Sequence, residues 1–240
     1  MPVRVHLEAP LSEGAALTLP PEPSRHIQVL RLQPGDALTV FNGEGGEWDA
    51  TVTRMGRQDV DLRIGAHHRA ERELACPVTI ALGMPANERM DALVEKATEL
   101  GVAAIQPLMC ARSVLKLAGD RAEKRRAHWQ AVAVAAAEQS CRTRVPAVAP
   151  ILALDRWLGA LGPAAGLRHV LSFGPDAAAP ATLLQARGPV LLLSGPEGGL
   201  DPREEGQARQ AGFAPLSLGP RVLRADTAPL AALSLLALAG

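Results

Sequence analysis

Two glycine-bearing loops near the carboxyl end of the chain carry the residues best suited to chemistry. An apolar run at 189–193 leads into Ser194-Gly195-Pro196-Glu197-Gly198-Gly199, and a second run at 214–218 leads into Gly219-Pro220-Arg221-Val222-Leu223-Arg224. Glycine lets the backbone approach a ligand closely, and proline stiffens that approach. Two strands that each release such a loop predict a ligand crevice at the carboxyl edge of an open α/β sheet.

The loop at 194–199 disfavours a nucleotide phosphate as its ligand. It contains no cation, and the chain has neither a Gly-Lys pair nor a G-x-G-x-x-G sequence, the two common phosphate-binding fingerprints. Glu197 among the glycines favours a neutral or cationic ligand instead. An ordinary turn into a helix is the alternative, because Asp201-Pro202 is a good start for a helix.

Basic residues are concentrated between positions 110 and 146, although the net charge of the chain is zero. That segment holds eight Lys or Arg residues, among them Arg112 and Arg142, against three acidic residues. A basic stripe on a neutral protein is typical of a face that contacts phosphates. A solvated helix face with ordinary charge scatter is the alternative.

The first seventy residues predict a small β-barrel. Short alternating or β-branched runs at 4–8, 37–41, 47–55 and 59–64 are separated by Gly, Asn and Pro turns, and one short helix is expected at 23–32. The polar stretch 66–73 is typical of a linker.

From residue 77 the pattern changes to strands that alternate with helices. Strands are predicted at 78–84, 104–109 and 169–173, and helices at 120–140 and 155–161. Another helix is expected to begin at the cap Asn87 and to stop at Gly101, and an apolar helix at 228–239 closes the chain. This alternation indicates a mostly parallel sheet covered on both faces. We therefore predict two domains, 1–72 and 73–240.

Several classes of protein are disfavoured by composition. The three cysteines are widely spaced and form no C-x-x-C pair, and the histidines show no H-E-x-x-H spacing, so we expect no metal and a reducing, cytoplasmic location. The apolar stretch at 228–239 is too short to span a bilayer, and the first residues carry no basic-then-apolar signal pattern, so we expect no membrane partner.

Six short segments, taken together and in order, resemble one family. They are Asn87-Glu88-Arg89-Met90-Asp91, Glu95-Lys96-Ala97-Thr98-Glu99-Leu100-Gly101-Val102, Ile105-Gln106-Pro107-Leu108 with Arg112-Ser113, Ala137-Glu138-Gln139-Ser140-Cys141-Arg142 ahead of Pro146, the loop 194–199, and 218–228. Their order and spacing resemble the RsmE family of 16S ribosomal RNA methyltransferases, which belong to the knotted SPOUT superfamily. The helix at 23–32 followed by Gly35-Asp36 is similar to the PUA-like amino-terminal domain of that family.

The resemblance implies an α/β fold: a SPOUT-type, mostly parallel sheet with helices on both faces and a carboxyl-terminal trefoil knot, preceded by a PUA-like β-barrel that binds RNA. It implies S-adenosylmethionine as methyl donor and N3 of a uridine in 16S rRNA, within the 30S subunit, as acceptor. It also implies a homodimer. A knot is rare enough that no residue pattern predicts one.

The resemblance also implies the binding residues. Those of the cofactor are Leu171, Ser172, Phe173, Ser194, Gly195, Pro196, Glu197, Gly198, Gly199, Leu218, Gly219, Arg221, Val222, Leu223, Thr227 and Ala228. Separately from the resemblance, the basic stripe leads us to expect Arg112 and Arg142 to bind RNA, and we also expect Arg31 to do so.

Methyl transfer to uracil N3 requires a way to handle the imide proton of a poor nucleophile. Arg221 and Arg224 are expected to hold RNA phosphate or the uracil carbonyls, unless they simply bind a helix end on the surface. A carboxylate, Glu138 or Asp226, could remove the proton, and the sequence does not choose between them. Glu138 with Arg142 could equally be a capped helix end. We expect Arg221, Arg224 and Glu138 to be catalytic.

Two other functions stay open from the sequence. One is a SPOUT enzyme that methylates tRNA or 23S rRNA, and the other is an RNA-binding module that has lost catalysis. A small-molecule binding protein of the open α/β type is disfavoured by the basic stripe.

Overall fold

The computed structural model describes residues 3–86 and 88–239, which form two compact units. Unit 1 comprises the chain up to Arg72 together with Ala137–Val145, and unit 2 comprises Glu73–Ala136 with the chain from Pro146 onwards. The return of 137–145 to unit 1 was not predicted. The domain limits 1–72 and 73–240 stay a prediction.

Unit 1 contains five strands and one helix. In chain order they are β1 (Arg4–His6), β2 (Ala16–Thr18), helix α1 (Pro21–Val29), β3 (Ala37–Phe41), β4 (Glu47–Met55) and β5 (Val60–His68). The sheet order is β1-β3-β4-β5-β2, in which only β1 and β3 pair in parallel. Alternate residues of the strands, such as Val40, Val52 and Leu62, are buried in one apolar core.

Two predictions in unit 1 need correction. Strand β5 continues to His68, so the expected linker at 66–73 begins as a paired strand. Helix α1 starts and ends earlier than predicted. Ser24 and Ile27 are buried, whereas Val29 and Leu30 at its end are exposed. The helix begins where Pro21 can occupy its first turn, because that position needs no backbone N–H donor.

Unit 2 alternates strands with helices as predicted. Its elements are β6 (Val78–Gly83), α2 (Glu88–Glu99), β7 (Ala104–Met109), α3 (Asp120–Gln139), β8 (Ala147–Val148), β9 (Leu152–Ala153), α4 (Leu154–Ala160), β10 (Leu167–Leu171), a 3-10 helix (Pro180–Gln185), β11 (Val190–Ser194), α5 (Pro202–Gln210), β12 (Ala214–Leu216) and α6 (Thr227–Ala237). The last turn of α3 lies in the segment that belongs to unit 1.

The strands of unit 2 form one parallel sheet in the order β12-β10-β11-β6-β7-β8, with β9 paired to β7. Consecutive residues Ile80, Ala81 and Leu82 of β6 are all fully buried, as expected for a strand whose sheet is covered on both faces. Because all strands run the same way, the loops after β10, β11 and β12 leave from the same edge.

Local helix signals in unit 2 are mostly as predicted. Helix α2 ends before Gly101, whose φ of +90° suits glycine, and α5 begins with a capping box formed by Asp201 and Glu204. The predicted cap Asn87 lies outside the described residues. Strand β10 ends at Leu171, so Ser172 and Phe173 lie in the following loop and not in the strand.

Helix α6 is only partly covered within the single chain. Pro229, Ala232 and Leu233 are buried, Leu236 is half-buried, and Leu238 just beyond the helix is 88% exposed. The helix packs on α2, β11 and the 3-10 helix of its own unit. Within the described residues, no helix combines the length and apolarity needed to cross a membrane. The trefoil knot stays a prediction.

Candidate functional site

The loops after β10, β11 and β12 line one cavity of about 690 Å³ in unit 2. This volume lies within the range of roughly 300–1,000 Å³ that is usual for small-molecule sites. Helices α2, α5 and α6 add Arg89, Glu205 and Ala228 to its wall. The crevice predicted from the two glycine-bearing loops therefore has a third loop, at 171–174, as part of its lining.

All but two of the residues expected to hold the cofactor line this cavity, together with Arg221 and Arg224. The exceptions are Gly219 and Thr227. Gly219 forms the turn after β12 with a φ of +99°, and its amide donates a hydrogen bond to Ser217 Oγ. Thr227 begins α6, where its amide donates to the Arg224 carbonyl. The binding roles of the whole set stay a prediction.

Six lining residues were not predicted from the sequence: Arg89, Val170, Leu200, Glu205, Leu216 and Ala225. Leu200 and Ala225 adjoin predicted residues, and Arg89 lies in a segment that carried the resemblance without a role. Glu205 had no local signal, because its position depends on where α5 packs.

The loop at 194–199 is held close to the sheet by backbone contacts that only glycine permits. A Cβ on Gly83, at the end of β6, would lie 2.5 Å from Pro196 Cδ. A Cβ on Gly195 would lie 2.6 Å from the Leu200 amide nitrogen, and Gly199 has a φ of +67°. The loop therefore presents backbone to the cavity in a shape that side chains would disrupt.

Arg112 stabilises this loop through side-chain hydrogen bonds. Its Nη1 donates hydrogen bonds to the carbonyl oxygens of Gly198, at 2.8 Å, and Leu200, at 3.4 Å. A Cβ on Gly198 would lie 3.1 Å from Arg112 Cβ, so the side chain also packs against the loop. Nearby, Glu204 accepts a hydrogen bond from the Ala111 amide at 2.7 Å, which ties the segment before Arg112 to α5.

Two acidic side chains of the lining already have cationic partners. Glu197 accepts a hydrogen bond from the Ala86 amide at 3.0 Å and lies 3.5 Å from Arg89 Nη1. Glu205 accepts hydrogen bonds from Ser172 Oγ at 2.8 Å and from Arg209 Nη2 at 3.0 Å. Each carboxylate is thus paired with an arginine of the protein and is less available to a ligand.

Arg209 also stabilises the loop after β10. It forms an ion pair with Asp176, and the guanidinium holds the pKa of that carboxyl below its usual range. Gly174 donates its amide hydrogen to Ser172 Oγ, so Ser172 and Asp176 are both anchored to α5 through Glu205 and Arg209. This loop is therefore fixed on both sides of Phe173.

Arg221 and Arg224 differ from the other charged residues of the lining. Both are exposed, and neither side chain forms a hydrogen bond or an ion pair with any residue that the structure describes. The alternative in which they bind a helix end is therefore not observed. The cavity consequently presents two uncommitted guanidinium groups, which suits an anion or an oxygen-rich acceptor.

Other residues selected from the sequence lie elsewhere. Glu138 and Arg31 belong to unit 1, where Glu138 accepts a hydrogen bond from the His6 amide at 2.8 Å and Arg31 is exposed with a φ of +58°. Arg142 is only 2% exposed, so its expected place on an exposed basic stripe is wrong. Asp226 has one buried carboxylate oxygen without a hydrogen-bond partner among the described residues, and it does not line the cavity.

Cys110 lies near the first loop, close to Gly83. Burial, with a smaller effect of Glu204, raises the pKa of its thiol to about 12. The thiol is therefore protonated at neutral pH and is no nucleophile.

The sequence matches two family models. A model described as RNA methyltransferase domain matches residues 72–237, and one described as RNA methyltransferase PUA domain matches residues 19–65. Two proteins called ribosomal RNA small subunit methyltransferase E are similar. That of Synechocystis is 35% identical over 92% of this chain and 72% of its own length, and that of Bacillus subtilis is 31% identical over 93% and 90%.

Solved structures resemble the whole chain. The ribosomal RNA small subunit methyltransferase E of Neisseria gonorrhoeae, bound to S-adenosyl methionine, superposes with a TM-score of 0.92 at 36% identity, covering 98% of this chain and 96% of its own. A putative methyltransferase of Legionella pneumophila, in complex with the same cofactor, gives a TM-score of 0.92 at 32% identity, covering 100% and 98%.

The contacts of Arg112 predict a role in cofactor affinity. Replacing Arg112 by Ala removes the donor that holds two loop carbonyls, and we expect S-adenosylmethionine to bind about fivefold more weakly, on the order of 1 kcal/mol for a lost hydrogen bond from a charged donor at an exposed site. Isothermal titration calorimetry measures the change, with Arg156→Ala, an exposed arginine outside the cavity lining, as control. Equal affinity in both variants would contradict the role.

Proposed function

Since the chain belongs to the ribosomal RNA small subunit methyltransferase E family, we propose that it transfers the methyl group of S-adenosylmethionine to N3 of a uridine in 16S rRNA. The main support for the proposal is that the glycine-bearing loop 194–199 and two arginines without partners among the described residues, Arg221 and Arg224, line the same cavity. The cradle suits the cofactor, and the arginines suit the acceptor.

The residues of the first loop fit this cofactor. Gly195 and Gly199 keep side chains out of the cradle, and the loop carries no cation that would favour a phosphate. Backbone groups of 194–199, of Leu218 and of Val222-Leu223 would hold the cofactor, with 171–173 as third wall. When bound, S-adenosylmethionine supplies an electrophilic methyl group on a sulfonium, which a nucleophile takes by in-line displacement.

Uracil N3 needs help because its imide proton makes it a poor nucleophile. Arg221 and Arg224 can donate hydrogen bonds to the two carbonyl oxygens that flank N3, where negative charge develops as the proton leaves. The carboxylates that line the cavity, Glu197 and Glu205, are engaged by Arg89 and Arg209. Stabilisation of the uracil anion is thus the route that the lining residues support, while Glu138 and Asp226 stay candidates for the proton acceptor.

Nucleoside mass spectrometry tests this function. We expect 16S rRNA from cells that lack the protein to lose one N3-methyluridine and to regain it when the wild-type gene is returned, but not when Arg221→Ala and Arg224→Ala are returned together. Loss of a methylated nucleoside from tRNA or 23S rRNA would instead indicate that the enzyme methylates that RNA. No loss from any RNA would indicate an RNA-binding module without catalytic activity.

The basic surface at the start of α3 is the proposed contact with the rRNA backbone. Arg121 and Lys124 are exposed, and neither has a hydrogen bond or an ion pair with a described residue. We propose these two residues as RNA contacts in place of Arg142, which is buried, and Arg112, which donates hydrogen bonds to the loop 194–200.

Replacing Arg121 and Lys124 by Ala should weaken rRNA binding and lower the slope of log K against log salt by about 1 to 2, because each phosphate contact releases counterions. Affinity for S-adenosylmethionine should not change. The control is the double variant Arg156→Ala and Arg203→Ala, which removes the same charge from exposed positions of α4 and α5. If both double variants gave the wild-type slope, the start of α3 would be an ordinary solvated face.

We also propose that the protein is a homodimer in the cytoplasm, acting on the 30S subunit. Helix α6 supports the first part, since its own unit leaves Leu230, Leu235 and Leu236 only half-buried and Leu238 exposed. A second subunit would cover these leucines. The cytoplasmic location rests on the three separated cysteines.

Leu238→Asp should shift the sedimentation coefficient at micromolar concentration from that of a dimer towards that of a monomer. Leu238 is 88% exposed in the single chain, so a charge there does not disturb its own core. Val29→Asp, at a position 73% exposed in unit 1, is the matched control and should stay dimeric. A monomeric wild type, or a fully dimeric Leu238→Asp variant, would refute this interface.

A further inference from the structure

Phe173 stands apart from the other aromatic residues of the chain. The sequence has three Phe, three Trp and no Tyr, all within the described residues. Phe173 is 64% exposed. The other five are buried or half-buried: Phe41, Trp48, Trp129, Trp157 and Phe213. Among the described residues, Phe173 is therefore the one exposed Phe or Trp, and it lines the proposed reaction cavity.

The exposure of Phe173 is not the result of a loose loop. The Ser172 amide donates to the Leu216 carbonyl at 3.0 Å, and Ser172 Oγ donates to Glu205 at 2.8 Å. On the other side, the Gly174 carbonyl accepts the Ala177 amide hydrogen at 3.0 Å, and Asp176 is paired with Arg209. The backbone on both sides is thus fixed by charged and backbone contacts, while the ring between them stays in water. An apolar ring held in this way is suited to a ligand that covers it.

The other groups of the lining indicate which ligand that is. Arg221 and Arg224 offer only hydrogen-bond donors and have no partner among the described residues. Val222, on the second loop, also lines the cavity and adds an apolar side chain that is 84% exposed. An apolar face together with two donors suits a planar ring whose edge carries acceptors.

Uracil has such an edge, because carbonyl oxygens flank N3 on both sides. The adenine of the cofactor presents an amino donor beside a ring-nitrogen acceptor, so it matches two donor side chains less well. A target base taken out of its stack also needs a new stacking surface.

We propose that Phe173 is the surface on which the target uracil stacks while Arg221 and Arg224 bind its carbonyl edge. The family resemblance implies that Phe173 binds the cofactor. The other residues that line the cavity lead us to assign its ring to the acceptor base instead. The role rests on the proposed function and adds a specific substrate contact to it.

Steady-state methylation of unmodified 16S rRNA by Phe173→Ala, Phe173→Leu and Phe173→Trp tests the role. Loss of one base stack should lower kcat/KM for RNA by about 5- to 100-fold in Phe173→Ala. Phe173→Leu should be impaired as well, because it keeps apolar surface without a π face, whereas Phe173→Trp should restore most of the activity. Affinity for S-adenosylmethionine, measured by calorimetry on the same proteins, should stay within twofold of wild type.

Val114→Ala is the matched control, since Val114 is 78% exposed and does not line the cavity. An active wild type with an equally active Phe173→Ala variant would overturn the stacking role alone. A loss of cofactor affinity as large as the loss in kcat/KM would assign the ring to the cofactor, and dissociation of the variant into monomers would assign it to a subunit interface. A wild type that methylates no rRNA would overturn the proposed function and the stacking role with it.

Discussion

The parallel pairing of β10 with both β11 and β12 is the constraint on which the site depends. His169 of β10 is in register with Leu192 on one side and Ala214 on the other, so the three strands reach the same edge of the sheet together. Their loops follow Leu171, Ser194 and Leu216, so the first and the last are distant in sequence, yet all three line one cavity. The close approach of Gly83 to Pro196 then fixes the central loop against β6. Backbone geometry, more than side-chain chemistry, shapes the cradle.

Charge pairing in the wall decides which groups are available to a ligand. Arg89 engages Glu197 and Arg209 engages Glu205, so the acidic side chains are held inside the structure. Arg112 donates its hydrogen bonds to the carbonyl oxygens of Gly198 and Leu200. Arg221 and Arg224 remain without partners in the described part of the chain, and the cavity therefore offers positive charge at the second loop. This distribution is consistent with the proposed roles, a backbone cradle for the cofactor and cationic side chains for the RNA acceptor.

The sequence predicts local features of this protein better than distant pairings. The strands at 37–41, 47–55 and 104–109 have the predicted bounds, because alternation and flanking turn residues are encoded within each segment. The short strand Ala16–Thr18 was missed, since it is defined by its pairing with β5.

The same limit explains the errors at the site. The glycine loops were found because glycine and proline mark them directly. The burial of Arg142 and the contribution of Glu205 depend on contacts made across the fold, which spacing along the chain does not reveal.

Amide hydrogen exchange with and without S-adenosylmethionine tests the central claim, that the three loops form one cofactor site. Cofactor addition should slow exchange in the segments 171–174, 194–200 and 216–225 together, with no change in strands β3 to β5 of unit 1. Protection confined to one of these loops, or protection of unit 1 in their place, would contradict it.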